Sequence, residues 1–412
     1  MKKLIYLVLT VSLFSFMGCD DDTVTKTVRY KTNEPVFMEA NEFRSSVKIT
    51  DVPQPISERG KMCFYDGFLY ISEPEKGFHI IDNRNPSNPK SVGFVELIGN
   101  VDLGIRQNVL YADSYVDLVW FDITDPAKPS LKGRLENVFP HALPCFENDY
   151  GYDYQMCETG TGIVVGWKEA DRSYTYTYNK GDMLDASPES SNSGSGKNGS
   201  MSRFSMYSDY LYVVLNDYMH IFNITGETPV EAASKVQIGW NVETIFSYKD
   251  CMFMGTPWGM HIYSVENPLA PERMSSITHV FGCDPVVVED DLAYVTIHSG
   301  NMCGQNSNQL LIVDVSDVRS PKQLVTYSMT KPKGLGIDNG TLFICDDGLK
   351  AYKIGEPQKL MSNKLAHYTG MEGYDVIPIN NVLMMVADDG LYQYDYSNPE
   401  DIKFMSKLAI GQ

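Results

Sequence analysis

From Lys61 to Leu408 the chain is written in short apolar runs broken by polar turns, and one phrase keeps returning. It reads FHIIDNRNPSNP from Phe78, LVWFDITDPAKP from Leu118, MHIFNITGETP from Met219, MHIYSVENPLAP from Met260 and LLIVDVSDVRSP from Leu310. Weaker copies are LKAYKIGEP from Leu349 and LYQYDYSNPED from Leu391. The aligned positions are Asp82, Asp122, Asn223, Ser264, Asp314, Lys353 and Asp395, spaced 40, 101, 41, 50, 39 and 42 residues apart. Around each phrase the same order of elements is predicted. A short strand such as Val286-Val287-Val288 comes first, then a turn such as Asp66-Gly67 or Asn339-Gly340, whose residues suit the positive φ of tight hairpins. A second, aromatic-rich strand follows (Phe68 to Ile71), then the phrase itself, an Asn/Asp-Pro turn, and a fourth strand such as Val92 to Val95. Alternation and β-branched content favour strands, and no capped segment with helical period is evident. Four short antiparallel strands in every 40 to 50 residues predict an all-β fold, a seven-bladed β-propeller of four-stranded antiparallel blades spanning 36–412.

The core Leu311-Ile312-Val313-Asp314-Val315 and its cognates resemble the LVIVD-repeat proteins, and the resemblance runs from about Lys61 to Leu408. It implies a propeller of an extracellular bacterial protein. It implies no activity, because that family has no general one to carry over.

The spacing of 101 marks an insert. Pro140 to Ser200 does not repeat, and the alternative to seven blades is that it hides a degenerate eighth. It holds an aromatic, acidic stretch from Phe146 to Tyr154, one clear strand from Ile163 to Trp167 and a Tyr/Thr run at 174–178. Ala186 to Ser200 is rich in Ser, Gly and Asn and reads as disordered. Its Gly-Ser-Gly-Lys lacks the glycine spacing, hydroxyl and flanking elements of a phosphate loop. Long inserts on propellers lie at a face and carry function more often than cores do. The candidate face is therefore Phe146, Tyr150, Tyr152 and Trp167, with Trp258 from a neighbouring loop.

Upstream of the repeats, Lys2 and Lys3 precede an apolar run from Leu4 to Phe16, too short to span a bilayer and suited to a signal peptide at 1–18. Phe16-Met17-Gly18-Cys19 resembles a lipoprotein processing site, with Cys19 lipidated. Phe16 and Met17 depart from that pattern. Asp20 to Asp22 resemble a surface-export signal, and Thr23 to Asn33 read as polar linker, so 19–35 is expected to be a lipidated tether. The expected location is the cell envelope, lipid-anchored in the outer membrane and surface-exposed or periplasmic. Loss of 1–18 removes Lys2 and Lys3 and no acid, taking the net charge from −19 to −21. That balance argues against nucleic acid and anionic lipid as partners.

An oxidising envelope allows disulfides, and two are expected: Cys145 with Cys157 across the aromatic stretch, and Cys283 with Cys303 across a long loop. Cys63, Cys251 and Cys345 fall inside strand patterns and read as buried thiols. No metal and no cofactor is expected: zinc-type spacing is absent, and Asp346-Asp347-Gly348 and Asp388-Asp389-Gly390 read as tight turns. One charge recurs eight or nine positions before each second-strand core residue: Lys61, Asp102, Arg203, Glu243, Asp284, Lys333 and Asp375. First strands line the axis, so these seven are expected to ring one mouth of the channel, pairing among themselves or forming a polar pocket. No hydrolase motif stands out. The first expectation is a non-catalytic lipoprotein presenting a propeller face to a protein or glycan. The alternatives are an extracellular carbohydrate-active enzyme and a structural subunit of an envelope complex.

Overall fold

The computed structural model describes residues 23–146, 148, 150–179, 203–215, 217–232, 235–239, 242, 244–256, 259–278, 285–298 and 307–409. Seven antiparallel sheets follow one another along the chain. Their innermost strands are Met62–Tyr65, Leu103–Arg106, Phe204–Tyr207, Thr244–Tyr248, Val286–Glu289, Leu335–Asp338 and Gly373–Ile379. Each of these touches the next, and the seventh touches the first, so the sheets close into a ring, a seven-bladed β-propeller. The insert adds no eighth blade.

The uninterrupted apolar phrase has a simple cause. The middle strands of a blade are buried on both faces, and side chains alternate between them. In blade 1, Tyr70 faces the core shared with blade 2, while Leu69 and Ile71 face the core shared with blade 7. The described residues form seven such interblade cores, one for each junction. The recurring Asp or Asn ends the third strand and turns the chain. Thr124, Thr225, Ser316 and Ser397 donate their backbone N–H to the side chains of Asp122, Asn223, Asp314 and Asp395 at 2.8–3.0 Å. The Asp66-Gly67 and Asn339-Gly340 hairpins have the expected positive φ at both residues. Asp347 and Gly348 likewise form a left-handed turn.

Glycines opening the third strands are fixed by packing. A Cβ on Gly77 would lie 1.9 Å from the Val95 carbonyl oxygen, and one on Gly259 would lie 2.0 Å from that of Ile277.

Ring closure takes a form the sequence left open. Lys48–Thr50 pairs with the outer strand Lys90–Glu96, so it widens blade 1 and adds nothing to blade 7. Blades 7 and 1 are joined by side chains. Buried Asn83 and Gln393 exchange amide hydrogen bonds of 3.0 and 2.6 Å. Ser406 donates to the Pro86 carbonyl at 2.6 Å.

The second departure is the N-terminal segment. Thr23–Met38 is a strand, where unpaired linker was expected over Thr23 to Asn33, and it pairs antiparallel with Ile163–Asn179 of the insert. A short helix, Ala40–Ser45, follows. Its Phe43 is buried against Tyr115 and Ile163, and its Arg44 bonds the buried carboxylate of Asp117 at 3.0 Å. Asp117 also binds Arg134 at 2.9 Å. The start of the described chain is thereby pinned to blade 2.

Candidate functional site

Direction along the strands decides which face carries what. Strand 1 of each blade runs away from the mouth where it begins. The turn between strands 2 and 3 and the linker into the next blade therefore return to that same mouth. The insert joins blade 2 to blade 3, so it leaves from this face. Cys145 donates its backbone N–H to Glu75, which sits in the 2–3 turn of blade 1. The insert and the described candidate charges at the starts of the first strands thus share one face.

Five of the seven ring positions are described; Glu243 and Asp284 lie outside the described residues. Lys61, Asp102 and Arg203 form one continuous chain. The Lys61 ammonium sits 2.8 Å from Asp102, whose side chain is fully buried, and Asp102 also accepts the backbone N–H of Arg203. The Arg203 guanidinium bonds Asp113 at 2.7 Å. Burial pulls the Lys61 pKa down, but Asp102 and Asp375 outweigh it and hold the ammonium above its ordinary range. Lys333 bonds Glu372 at 2.6 Å and lies 3.7 Å from the centre of the Tyr374 ring. Arg59 approaches the same ring at 4.5 Å while donating to the Ala387 carbonyl. Lys331 is 3.6 Å from Glu372, so two lysines share that carboxylate. His298 is 2 % exposed, and among the described residues neither of its ring nitrogens has a hydrogen-bond partner. Burial, reinforced by Lys333 and Lys331, pushes it down to about 4, so it is neutral at pH 7.

A second set of carboxylates, of which Asp346 and Asp388 read from sequence only as tight-turn residues, explains how the entry residues are held. Asp113, Asp346 and Asp388 stand at the ends of second strands. Asp113 accepts the N–H groups of Val101 and Asp102 at 2.7 and 2.9 Å, Asp346 those of Thr330 and Lys331 at 3.0 and 2.6 Å, and Asp388 that of Glu372 at 2.8 Å. Their signal was visible as an acid closing the second strand in several repeats. Among the described residues no group of three His, Cys, Asp or Glu is placed to hold a metal.

The aromatic candidates come together. The rings of Phe146, Tyr152 and Trp167 lie 4.7–5.2 Å apart, and Trp167 donates its indole N–H to the Pro144 carbonyl at 2.8 Å. Tyr150, from the same loop, lies under the Lys31 ammonium, at 5.7 Å. Trp258 lies outside the described residues. Asn33, which the sequence reading passed over as linker, locks the loop. It is 1 % exposed and bonds Asn148, the Tyr150 carbonyl and the Gly151 carbonyl at 2.8–2.9 Å.

The expected Cys145–Cys157 disulfide is not formed, and both stand as thiols. Cys145 is held toward Glu75 of blade 1, whereas Cys157 lies in the helix Tyr154–Thr159, whose end rests on Phe37. The aromatic cluster occupies the loop that a disulfide would have closed. Cys283 and Cys303 lie outside the described residues. Cys345 is buried, while Cys63 and Cys251 are half-buried.

At the opposite face, a cleft of about 490 Å³ opens at the seam of blades 7 and 1, lined by Tyr65, Asp66, Asn83, Arg84 and Asn380. Arg84 is engaged there by Asp82 at 2.6 Å.

Set against known proteins, the chain carries the LVIVD repeat at residues 62–96, 105–137 and 286–328. No curated protein sequence matches it. Among solved structures it is similar to the computationally designed Ika8 protein, with 8 % identity, a TM-score of 0.48 and coverage of 88 % of this chain and 92 % of that one. It is also similar to Hsv2 of Kluyveromyces lactis, with 10 % identity, a TM-score of 0.47 and coverage of 84 % and 96 %. The repeats and the closed ring define a β-propeller scaffold.

Proposed function

We propose that this chain is a non-catalytic lipoprotein of the bacterial cell envelope, anchored through Cys19, that offers its insert-bearing face to a protein or glycan partner. The observation that carries the reading is the convergence of Phe146, Tyr152 and Trp167, with Tyr150, beside the charged mouth. A rigid aromatic cluster with a polar rim is the composition of binding surfaces. The mouth itself favours binding over acid–base chemistry. Asp102 is engaged by Lys61 and the Arg203 amide, and Asp113 by Arg203 and two amides. Their oxygens are engaged by partners within the chain.

The test is a photo-crosslinking amino acid at Tyr150, with the same probe at exposed Leu324 as control, in cells making the full chain. Adducts to one protein or glycan from position 150 alone support the reading, and Trp167→Ala is expected to abolish them. Equal labelling at both positions counts against it. The mass of the N-terminal peptide decides whether Cys19 carries lipid.

A further inference from the structure

The paired strands Thr23–Met38 and Ile163–Asn179 change character along their length. Near the propeller, Thr32 and Asn33 are buried; from Thr25 to Tyr30 and from Asp171 to Thr177 every residue is exposed except the half-buried Val28. A two-stranded ribbon with both faces in water has little to stabilise it. Yet this stretch is not uniformly polar. The register sets Val28 opposite Tyr174, Lys26 opposite Tyr176 and Tyr30 opposite Arg172, which gathers the tyrosines on one face. Tyr30 meets Tyr174 edge-on at 5.9 Å, and Tyr174 stacks on Tyr176 at 5.8 Å. Their exposures, 46 %, 41 % and 38 %, make a contiguous, partly exposed aromatic surface. The other face is a threonine ladder: Thr25 bonds Thr177 at 3.1 Å and Thr27 bonds Thr175 at 2.9 Å.

Charge and position point to one occupant. In a chain of net charge −19, the exposed segments Thr25 to Tyr30 and Asp171 to Thr177 hold Lys26, Arg29 and Arg172 against one acid, Asp171, and Arg172 is paired with Glu34. Tyrosine with Lys and Arg is the composition that settles at the boundary between lipid headgroups and acyl chains, where the ring is sheltered and the hydroxyl stays wet. Thr23 stands four residues after Cys19, so at full extension the ribbon begins within about 14 Å of it.

We infer that the tyrosine face of this ribbon seats in the headgroup layer of the membrane that holds the Cys19 acyl chains, making a second, non-covalent attachment. The inference rests on the lipoprotein reading above. Asp20, Asp21 and Asp22 lie between anchor and ribbon and offset its basic residues, so the tyrosines carry the contact and a zwitterionic surface suffices. A single acyl anchor leaves a protein free to swivel; a ribbon lying in the interface would fix the side from which the propeller is reached.

The test uses the mature, lipidated chain in phosphatidylcholine vesicles containing bromine-labelled lipid. Tyr176→Trp adds a fluorophore to the aromatic face, and Leu324→Trp adds one to an exposed outer strand of the propeller. The expected result is loss of the added emission for Tyr176→Trp and none for Leu324→Trp. Trypsin cleavage at Arg29 is expected to slow on vesicles in the parent and to recover in a Tyr30→Ser, Tyr174→Ser, Tyr176→Ser variant that keeps the parent's melting temperature. Equal emission from the two tryptophans in lipidated protein overturns the inference and leaves the anchor standing. Protection that rises with protein density rather than with lipid overturns it in favour of a second copy of the chain. A mass spectrum showing an unmodified Cys19 removes the anchor and the inference together.

Discussion

The blades and the ribbon are both antiparallel sheets, but they are stabilised in opposite ways. A blade's middle strands are buried on both faces and share their side chains with two neighbours. The ribbon's outer half is buried on neither face and is held by backbone pairing, threonine pairs and tyrosine contacts. Burial therefore concentrates in the ring, and a change of equal size is expected to matter there and hardly at all at the ribbon tip.

The sharpest contrast is Phe78→Ala against Tyr174→Ala. Phe78 is fully buried and meets the edge of Phe121 at 5.5 Å, so its loss is expected to cost about 3–5 kcal/mol, against less than about 0.5 kcal/mol for Tyr174, both read by denaturant unfolding. Asp117→Ala tests the joint between the two regions. It strands Arg134 and leaves Arg44 only Glu136 and Asn137, and is expected to cost about 3 kcal/mol and to speed proteolysis around Ala40–Ser45. Breaking the seam with Asn83→Ala removes both of these hydrogen bonds from the buried Gln393 amide, for a loss of about 1–3 kcal/mol in the same unfolding assay.

Acid should act on the ring before the ribbon. Burial pushes His261 and His298 down to about 4, from an ordinary 6.5 in the unfolded chain. Because the folded values lie below the unfolded ones, the unfolded chain takes up the extra protons, and the stability tied to neutral imidazoles is present above pH 6.5 and lost as pH falls toward 4. A melting temperature that is flat above pH 6.5 and falls below it is expected, with the fall reduced in a His261→Gln, His298→Gln variant. Burial pushes Glu73 up, but hydrogen bonds from Ser57, Lys76 and His79 prevail and hold it at about 2, so its contribution is lost later, between about pH 4.5 and 2. The smallest effect is expected from Thr27→Val at the ribbon tip, which trades an exposed hydroxyl pair for a β-branched neighbour and should leave unfolding within about 0.5 kcal/mol of the parent.

What could be read from the sequence follows the same divide. Blade number, strand order and turns were legible because every repeat solves one problem with one chemistry: apolar residues on both faces, then an Asp or Asn to receive the amide two residues on. The candidate charges were picked out for a related reason, as one recurring position of each repeat, and among the described ones Lys61, Asp102 and Arg203 come together. The ribbon was not. Thr23 to Asn33 finds its partner some 140 residues later, and exposure of both faces erases the alternation by which a strand is recognised. Asn33 looked like any linker asparagine, because its role depends on Asn148 and Tyr150 arriving beside it. The disulfide inference failed on the same ground. Only eleven residues lie between Cys145 and Cys157, but Cys145 is held toward Glu75 of blade 1 and Cys157 sits in the helix Tyr154–Thr159.

All four strands of blade 7 come from the last stretch of the described chain, and none is lent by the beginning. During synthesis, then, six blades exist as an open arc before the seventh is made. The side of blade 1 that will meet it, with Leu69, Ile71 and Ile81, waits uncovered for almost the whole length of the chain. A chain cut short near residue 380 would keep every earlier sheet intact and still be left with two bare apolar flanks, ready to meet those of another unfinished copy. The hazard of this architecture falls on the nascent molecule, and the completed ring, whose ends have found each other, is free of it.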